Sequence, residues 1–254
     1  MTGVPGPDWR RSLRVGSRLG RRGAGVRSPK GRPLATANAD AAVAVSDRRY
    51  GRDTPQFGRV ANLSDGVFAI ALTLLVLSLD RPDVPADQLG PALIAHLPQL
   101  AVVLLGFGLI AQVWWYHHRF LGVLRVVEPG LIVINLAMLG AVALAPYAID
   151  VLGSAPTSSA AVIQFALIFM IVTGLYLSLL LQAQAIDAWL EPMHLRTFSW
   201  ISGTWFAMLA GHTIVVLVAL VQPVVAIVVL ASIGTLAGFL MAWLAPKAYH
   251  DWGL

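Results

Sequence analysis

From Val60 to Leu79 the chain runs for twenty residues with Asp65 as its only charged side chain. At about 1.5 Å per residue a helix of that length reaches roughly 30 Å, the thickness of a bilayer's hydrocarbon core. Arg59, Ser64 and Asp65 stand at its entrance. A carboxylate in a membrane helix costs about 2.5–3.5 kcal/mol at the bilayer centre and less near an end, so such a residue is kept for a partner or a function. A chain built this way folds in lipid, and its first span is where function is most directly written.

The composition agrees. Hydrophobic residues make up 57% of the chain and charged residues 12%, against about 25% charged in a soluble domain. The absence of cysteine excludes disulfides, thiolate metal sites and thiol catalysis. Thirteen of the 18 Lys and Arg residues fall within positions 1–59, with four acids. In a soluble protein that excess would point to nucleic acid. Ahead of a membrane domain it sets orientation and attracts anionic lipid, and no nucleic-acid partner is expected. Residues 1–55 are rich in Gly, Pro, Arg, Ser and Ala without an apolar period, and read as a basic, disordered cytoplasmic tail. Pro and Gly interrupt any amphipathic transit helix there. No uncharged stretch with a cleavage site precedes Arg59, so a removable signal peptide is not expected.

Six apolar runs follow, at roughly 59–79, 92–116, 129–149, 159–184, 198–221 and 223–245. They predict an all-α, multi-pass cell-membrane protein, with a six-helix domain over 56–248 and a short C-terminal tail at 249–254. The third run is expected to end at Pro146-Tyr147-Ala148-Ile149-Asp150, and Gln222-Pro223 joins the last two as a tight hairpin. Alternating the runs from a cytoplasmic amino terminus puts Arg119, Arg125, Arg196 and Lys247 on the cytoplasmic side and leaves Arg81 outside. Both termini are then cytoplasmic, in accord with the positive-inside rule.

Within the first span, Asn62 or Ser64 is a candidate helix cap, with Asp65 in the first turn beside the positive end of the helix dipole. Arg59 lies six residues before Asp65, so the two are not neighbours on one helix face, and each is expected to pair with another helix or subunit. Ile70, Leu74 and Leu77 repeat at i, i+4 and i+7 with Thr73 beside them, a stripe that in a membrane helix usually serves packing or lipid contact and only in the sharper reading lines a pore. The second span ends Gln112-Val113-Trp114-Trp115-Tyr116-His117-His118-Arg119. One reading is an interfacial aromatic belt with a snorkelling Arg119. The other is that Trp114 and His117, three apart on one face, reach a partner in the core. Asn135 in the third span wants an interhelical hydrogen bond. Ser64 and Asp65, Trp114 and His117, and Asn135 all lie near the cytoplasmic leaflet and are able to close one polar cluster.

Other candidates carry less. Asp187, Glu191 and His194 have spacing that suits a metal, but Pro192 interrupts the segment and no metal site is expected. Gly234-Thr235-Leu236-Ala237-Gly238 is a GxxxG packing motif. His212 shares a span with Gly203 and Gly211 and reads as a hydrogen-bonded packing residue. There is no P-loop, HExxH or GxSxG pattern, and no TVGYG-like segment for a carbonyl filter.

The stretch Arg59-x3-Leu63-Ser64-Asp65-Gly66-Val67-Phe68-Ala69-Ile70-Ala71-Leu72-Thr73-Leu74-Leu75-Val76-Leu77 resembles the signature first helix of the prokaryotic transmembrane protein 175 family. That helix reads R-x3-F-S-D followed by a GVFAIAxTLLVL run. Trp114-x-x-His117-His118-Arg119 is similar to the family's second-helix ending, and Asn135 with Pro146 to its third helix. The resemblance is specific over 59–150 and topological over 159–245, and Leu63 replaces the family's Phe. It implies a potassium-selective channel without cofactor or catalytic residue, assembled as a homotetramer with the first helix around the pore. It further implies that Ile70, Leu74 and Leu77 form a hydrophobic constriction with Thr73 as a polar ring beside it. Arg59, Ser64, Asp65, Trp114, His117 and Asn135 would then form the network that locks the helices. A secondary transporter and a membrane enzyme with a cytoplasmic-side polar site are the alternatives. The first wants polar groups at mid-membrane and broken helices in matched halves, whereas the mid-span positions here are nearly all apolar. The second wants acid, base or metal groups converging at one depth.

Overall fold

Lipid offers backbone N–H and C=O groups no partner but each other, so each apolar run closes into a helix. In a computed structural model of the chain, residues 49–232 and Trp243 are described. Helix α1 spans Pro55–Leu74 and tightens into a 3-10 turn at Leu75–Ser78 before the chain turns extended at Leu79. Thr54 caps it, its hydroxyl oxygen accepting the Phe57 N–H at 3.4 Å, with Pro55 in the first helical position, where a missing N–H and a fixed φ both suit a helix start. The helix therefore begins before the expected boundary. Neither Asn62 nor Ser64 caps it, and Asp65 lies well inside it, beyond the first-turn dipole.

After the short α2 (Leu89–Ala95) the chain breaks at His96 and resumes as α3 (Leu97–Gly122). Helix α3 passes its expected end at 116, so His117, His118 and Arg119 ride on the helix rather than follow it. Helix α4 (Pro129–Ser154) likewise outruns its expected end and carries Pro146 buried in its interior. Proline removes one N–H and crowds one carbonyl, but Ala148, Ile149 and Leu152 are fully buried and hold the last turns against the bundle. Helices α5 (Ser159–Ala185), α6 (Leu195–Ala219) and α7 (Pro223–Ser232) complete the described chain. Among the described residues five helices, counting α1 with its 3-10 turn, are long and apolar enough to cross a membrane, and the chain is a multi-pass membrane protein. Of the sixth run, α7 covers the first ten residues. The remainder, with the Gly234–Gly238 motif and Lys247, lies outside the described residues, as do positions 1–48 and the tail at 249–254.

Helix α4 is the centre of the bundle. Its buried stripe of Leu131, Asn135, Met138, Val142, Ala145 and Ile149 faces α1 and α3 on one side and α5 on the other, and α6 and α7 pack beyond α5. Tyr176 of α5 stacks on Trp205 of α6 with ring centroids 4.0 Å apart, and its hydroxyl donates to the Tyr116 carbonyl at 3.0 Å, which ties α5 and α6 to α3. Helices α3 and α4 touch most closely at Gly106, where a Cβ would overlap the Ile149 side chain, whereas a Cβ at Gly108 would meet nothing. Gly106→Ala is expected to lower stability by about 1–3 kcal/mol through overpacking. Gly108→Ala should not lower it, since alanine is the better helix former by about 0.5–1 kcal/mol, with thermal unfolding of the two variants in detergent as the check.

One end of the bundle is bound by backbone pairing. Strand β1 (Tyr50–Gly51) runs antiparallel to β2 (Val126–Val127), and Arg52 N–H donates to the Arg125 carbonyl at 2.9 Å. On the other side of the same segment, Leu124 bridges Trp189, Arg125 N–H donates to the Ala188 carbonyl and Leu190 N–H to the Val123 carbonyl, each at 2.9 Å. The entry to α1, the α3–α4 connection and the α5–α6 connection thus share one end, as alternating spans require. Residues 50–55, six positions of the stretch expected to be a disordered tail, are thus strand, turn and helix start. Helix α5 ends in a Schellman arrangement, with Ala188 N–H on Ala183 O and Asp187 N–H on Gln184 O. This puts Asp187 at φ 52°, a position that favours glycine, and the Arg125 guanidinium fixes it by donating to its carbonyl at 2.8 Å and its carboxylate at 3.2 Å.

Candidate pore-lining helix and its polar anchor

Helix α1 has two faces of opposite fate. At 3.6 residues per turn, Phe57, Ser64, Phe68, Ala71 and Leu75 fall within about 60° of one another, and all five are buried. The opposite face carries Gly66, Ile70, Thr73 and Leu77, with Leu74 at its edge, and every one of them is exposed. Ile70 is 60% and Leu77 76% accessible, although each is a large apolar side chain.

The buried face is anchored by polar side chains. Trp114 Nε1–H donates to Asp65 Oδ1 at 2.9 Å. His117 Nε2 lies 2.7 Å from Asn135 Oδ1, an oxygen that only accepts, so this nitrogen carries the proton. Asn135 Nδ2–H in turn donates to Ser64 Oγ at 3.1 Å, and the Ser64 hydroxyl to the Val60 carbonyl at 2.9 Å. The chain of donors runs in one direction from α3 through α4 to α1. His117 and Ser64 are fully buried and Asn135 nearly so, and the imidazole sits against Phe68 and Phe120 with centroids at 5.5 and 6.4 Å. Lipid offers no competing partner at that depth, so these bonds select one register of three helices.

Five of the six network residues read from the sequence are thus brought together, in two contacts that meet α1 at the consecutive residues Ser64 and Asp65. Arg59 is not among them. It lies exposed on the same side of α1 as Ile70 and makes no hydrogen bond or ion pair among the described residues. Of the adjacent histidines, His117 faces the core while His118 is exposed, its Nδ1 3.8 Å from Asp65. Arg119 lies over the Trp115 ring, 5.4 Å from its centroid. Thr73 Oγ donates to the Ile70 carbonyl at 2.9 Å, which leaves its lone pairs facing away from the helix.

A second lock holds the far end of α1. Gln99 Nε2–H donates to the Ser78 carbonyl at 2.8 Å and to Asp80 Oδ2 at 3.2 Å, and Ser78 Oγ–H to the Leu75 carbonyl at 2.7 Å. Gln99 satisfies the carbonyl of Ser78, the last residue of the 3-10 turn. Reading the sequence missed it, and the signal was an amide near the start of the apolar run 92–116. Among the described residues no cluster of three or more His, Cys, Asp or Glu forms a metal site, so Asp187, Glu191 and His194 do not converge. His212 is buried, with Nδ1 2.8 Å from the Met208 carbonyl, the packing role its surroundings predict.

Comparison with known proteins falls on the same helices. Residues 59–146 match the family model described as endosomal/lysosomal potassium channel TMEM175. A potassium channel from Streptomyces collinus is 40% identical over 92 residues, covering 35% of this chain and 44% of that protein. A potassium channel from Chamaesiphon minutus is 42% identical over 65 residues, 24% of this chain and 32% of the other. These matches span less than half the length of the curated relatives, and both relatives are named as channels rather than enzymes. The crystal structure of a lysosomal potassium-selective channel TMEM175 homolog, also from Chamaesiphon minutus, superposes with a TM-score of 0.66 at 21% identity, over 74% of this chain and 99% of that one. That likeness is one of fold. The resemblance read from the first three spans is therefore present over 59–146, the segment that holds the anchored helix.

Proposed function

We propose that the chain, through the TMEM175-type segment at 59–146, is a passive potassium channel whose pore is lined by α1 from several copies. Four copies are what the family resemblance implies. The proposed subunit has six spans, the last over 223–245, with both termini cytoplasmic and the membrane being the cell's own. One observation carries the reading. The segment that matches the family model holds a helix fixed on one face by buried hydrogen bonds and bare on the other, where Ile70, Thr73, Leu74 and Leu77 are exposed. A pore-lining face has no partner in a single copy, and it needs rigid support from behind.

Around an axis, the Ile70, Leu74 and Leu77 rings form a narrow apolar neck in which passage is limited by dewetting and by shedding of the ion's water. Potassium gives up water more easily than sodium and enters such a neck at lower cost. Thr73, its proton committed to the Ile70 carbonyl, presents oxygen lone pairs to a cation leaving that neck. The basic residues before Arg59 sit at the cytoplasmic surface, where anionic lipid attracts them. The test is a flux assay on purified protein in liposomes, with potassium and then sodium as the only cation carrying the gradient. Potassium flux well above sodium flux is expected. Flux of neither ion from oligomeric protein overturns the reading.

A further inference from the structure

Helices α3, α5 and α6 form a small recess of about 20 Å3, measured as the space open to the centre of a water, to which α1 contributes no residue. Its walls are largely apolar, but Tyr116 of α3, Thr173 of α5 and His212 of α6 line it as well. Thr173 lies about 18 Å along α5 from its end at Ala185, and His212 about 26 Å along α6 from its start at Leu195. The recess is therefore well inside the spans, where lipid supplies no hydrogen-bond partner.

What these three side chains leave unused is complementary. His212 Nδ1 is 2.8 Å from the Met208 carbonyl, which only accepts, so Nδ1 carries the proton and Nε2 presents a lone pair. Nδ1 is turned back on its own helix, and Nε2 stands on the far edge of the ring. Thr173 commits its proton to the Phe169 carbonyl at 2.8 Å and keeps oxygen lone pairs. Tyr116 is the reverse case. Its backbone carbonyl takes the Tyr176 bond, its ring stands edge-on to Trp205 at 5.4 Å, and its hydroxyl proton has no acceptor among the described residues. No direct hydrogen bond joins the three side chains to one another. One donor and two acceptors thus surround a space that excludes bulk water.

A buried water needs about 10–15 Å3 of such space and two to four polar partners, and it commonly makes about three bonds. The recess offers both. We infer that it is a binding site for a single water, which accepts from the Tyr116 hydroxyl and donates to His212 Nε2 and Thr173 Oγ. A lipid headgroup is too large for the space, and a metal ion would find one imidazole and no anionic ligand. The water joins α3, α5 and α6 at one point, on a part of the bundle that Trp114, His117 and Asn135 do not reach. The site uses no residue of α1, so it stands or falls separately from the channel reading.

The test is a crystal structure of the whole protein that shows ordered water, with and without xenon pressure. One peak about 2.6–3.2 Å from Tyr116 Oη, Thr173 Oγ and His212 Nε2, unchanged by xenon, is expected. Xenon in the recess marks a dry, apolar cavity and overturns the inference. So does an acyl tail or a protein side chain in that place, or no peak where other buried waters are visible. Two variants read the same site in solution. Tyr116→Phe and Thr173→Val each delete one bond to the water, and each is expected to lower the melting temperature in detergent by about 2–4 °C. Combined, they should lower it by clearly less than the sum, because both act through one water. Strictly additive losses overturn the shared site. If either variant fails to fold, the density in the native protein decides.

Discussion

Asn135→Leu is expected to lower the stability of the folded bundle by about 1–3 kcal/mol, summed over two interhelical hydrogen bonds of about 0.6–1.7 kcal/mol each. Leucine shares asparagine's branching and heavy-atom count, so the change opens no cavity and its main loss is hydrogen bonding. Asn135 accepts from His117 and donates to Ser64, and both partners are buried. Leucine leaves the His117 N–H with no acceptor in a site that excludes water, the more damaging half of the change. A double variant, His117→Leu with Asn135→Leu, removes the orphaned donor as well. It is expected to be less unstable than the sum of the single changes, by about 1 kcal/mol of coupling. Thermal unfolding followed by size-exclusion chromatography measures both. Strict additivity would mean that the two side chains do not act as a unit.

How much of this was legible beforehand follows from the range over which each signal acts. The spans were readable because hydropathy over twenty residues is a local property. Their ends were less so. The apolar window starts at Val60, while the helix starts at Thr54-Pro55, a cap-and-proline signal weaker than the run behind it. Pro146 was read as an exit because proline usually stops a helix in water; here burial of the following turns outweighs one missing hydrogen bond. Trp114, His117 and Asn135 were legible as candidates because polar groups in apolar runs must find partners. Their pairing with Asp65 and Ser64 across 49 and 71 positions needed the fold. The backbone pairing of residues 50–52, 123–127 and 188–190 left no local pattern, since main-chain bonds carry no sequence identity. Arg59 stands apart: it is exposed on the same side of α1 as Ile70, away from the Ser64 and Asp65 contacts.

Ile70→Asn is expected to reduce potassium-over-sodium discrimination about tenfold, equivalent to about 1.4 kcal/mol in the difference between the two ions' barriers. The size follows from symmetry. In the proposed pore, one substitution would place a carboxamide in every copy at the same height and turn an apolar ring into a continuous polar one. An apolar neck excludes ions through the water they must shed there. Carboxamide oxygens return part of that hydration and do so for sodium, the more strongly hydrated ion, to the greater advantage. Sodium flux should therefore rise more than potassium flux. Nothing in the protomer opposes the change sterically, because Ile70 is 60% exposed and lies away from the face that packs on α3 and α4. Val133→Asn, at a residue of α4 that is 65% exposed, supplies the control for an added amide elsewhere in the bundle, and should leave the flux ratio unchanged. Equal ratios in the native chain and Ile70→Asn would take Ile70 out of the constriction. A ratio shifted as far by Val133→Asn would show that the effect does not arise at the pore.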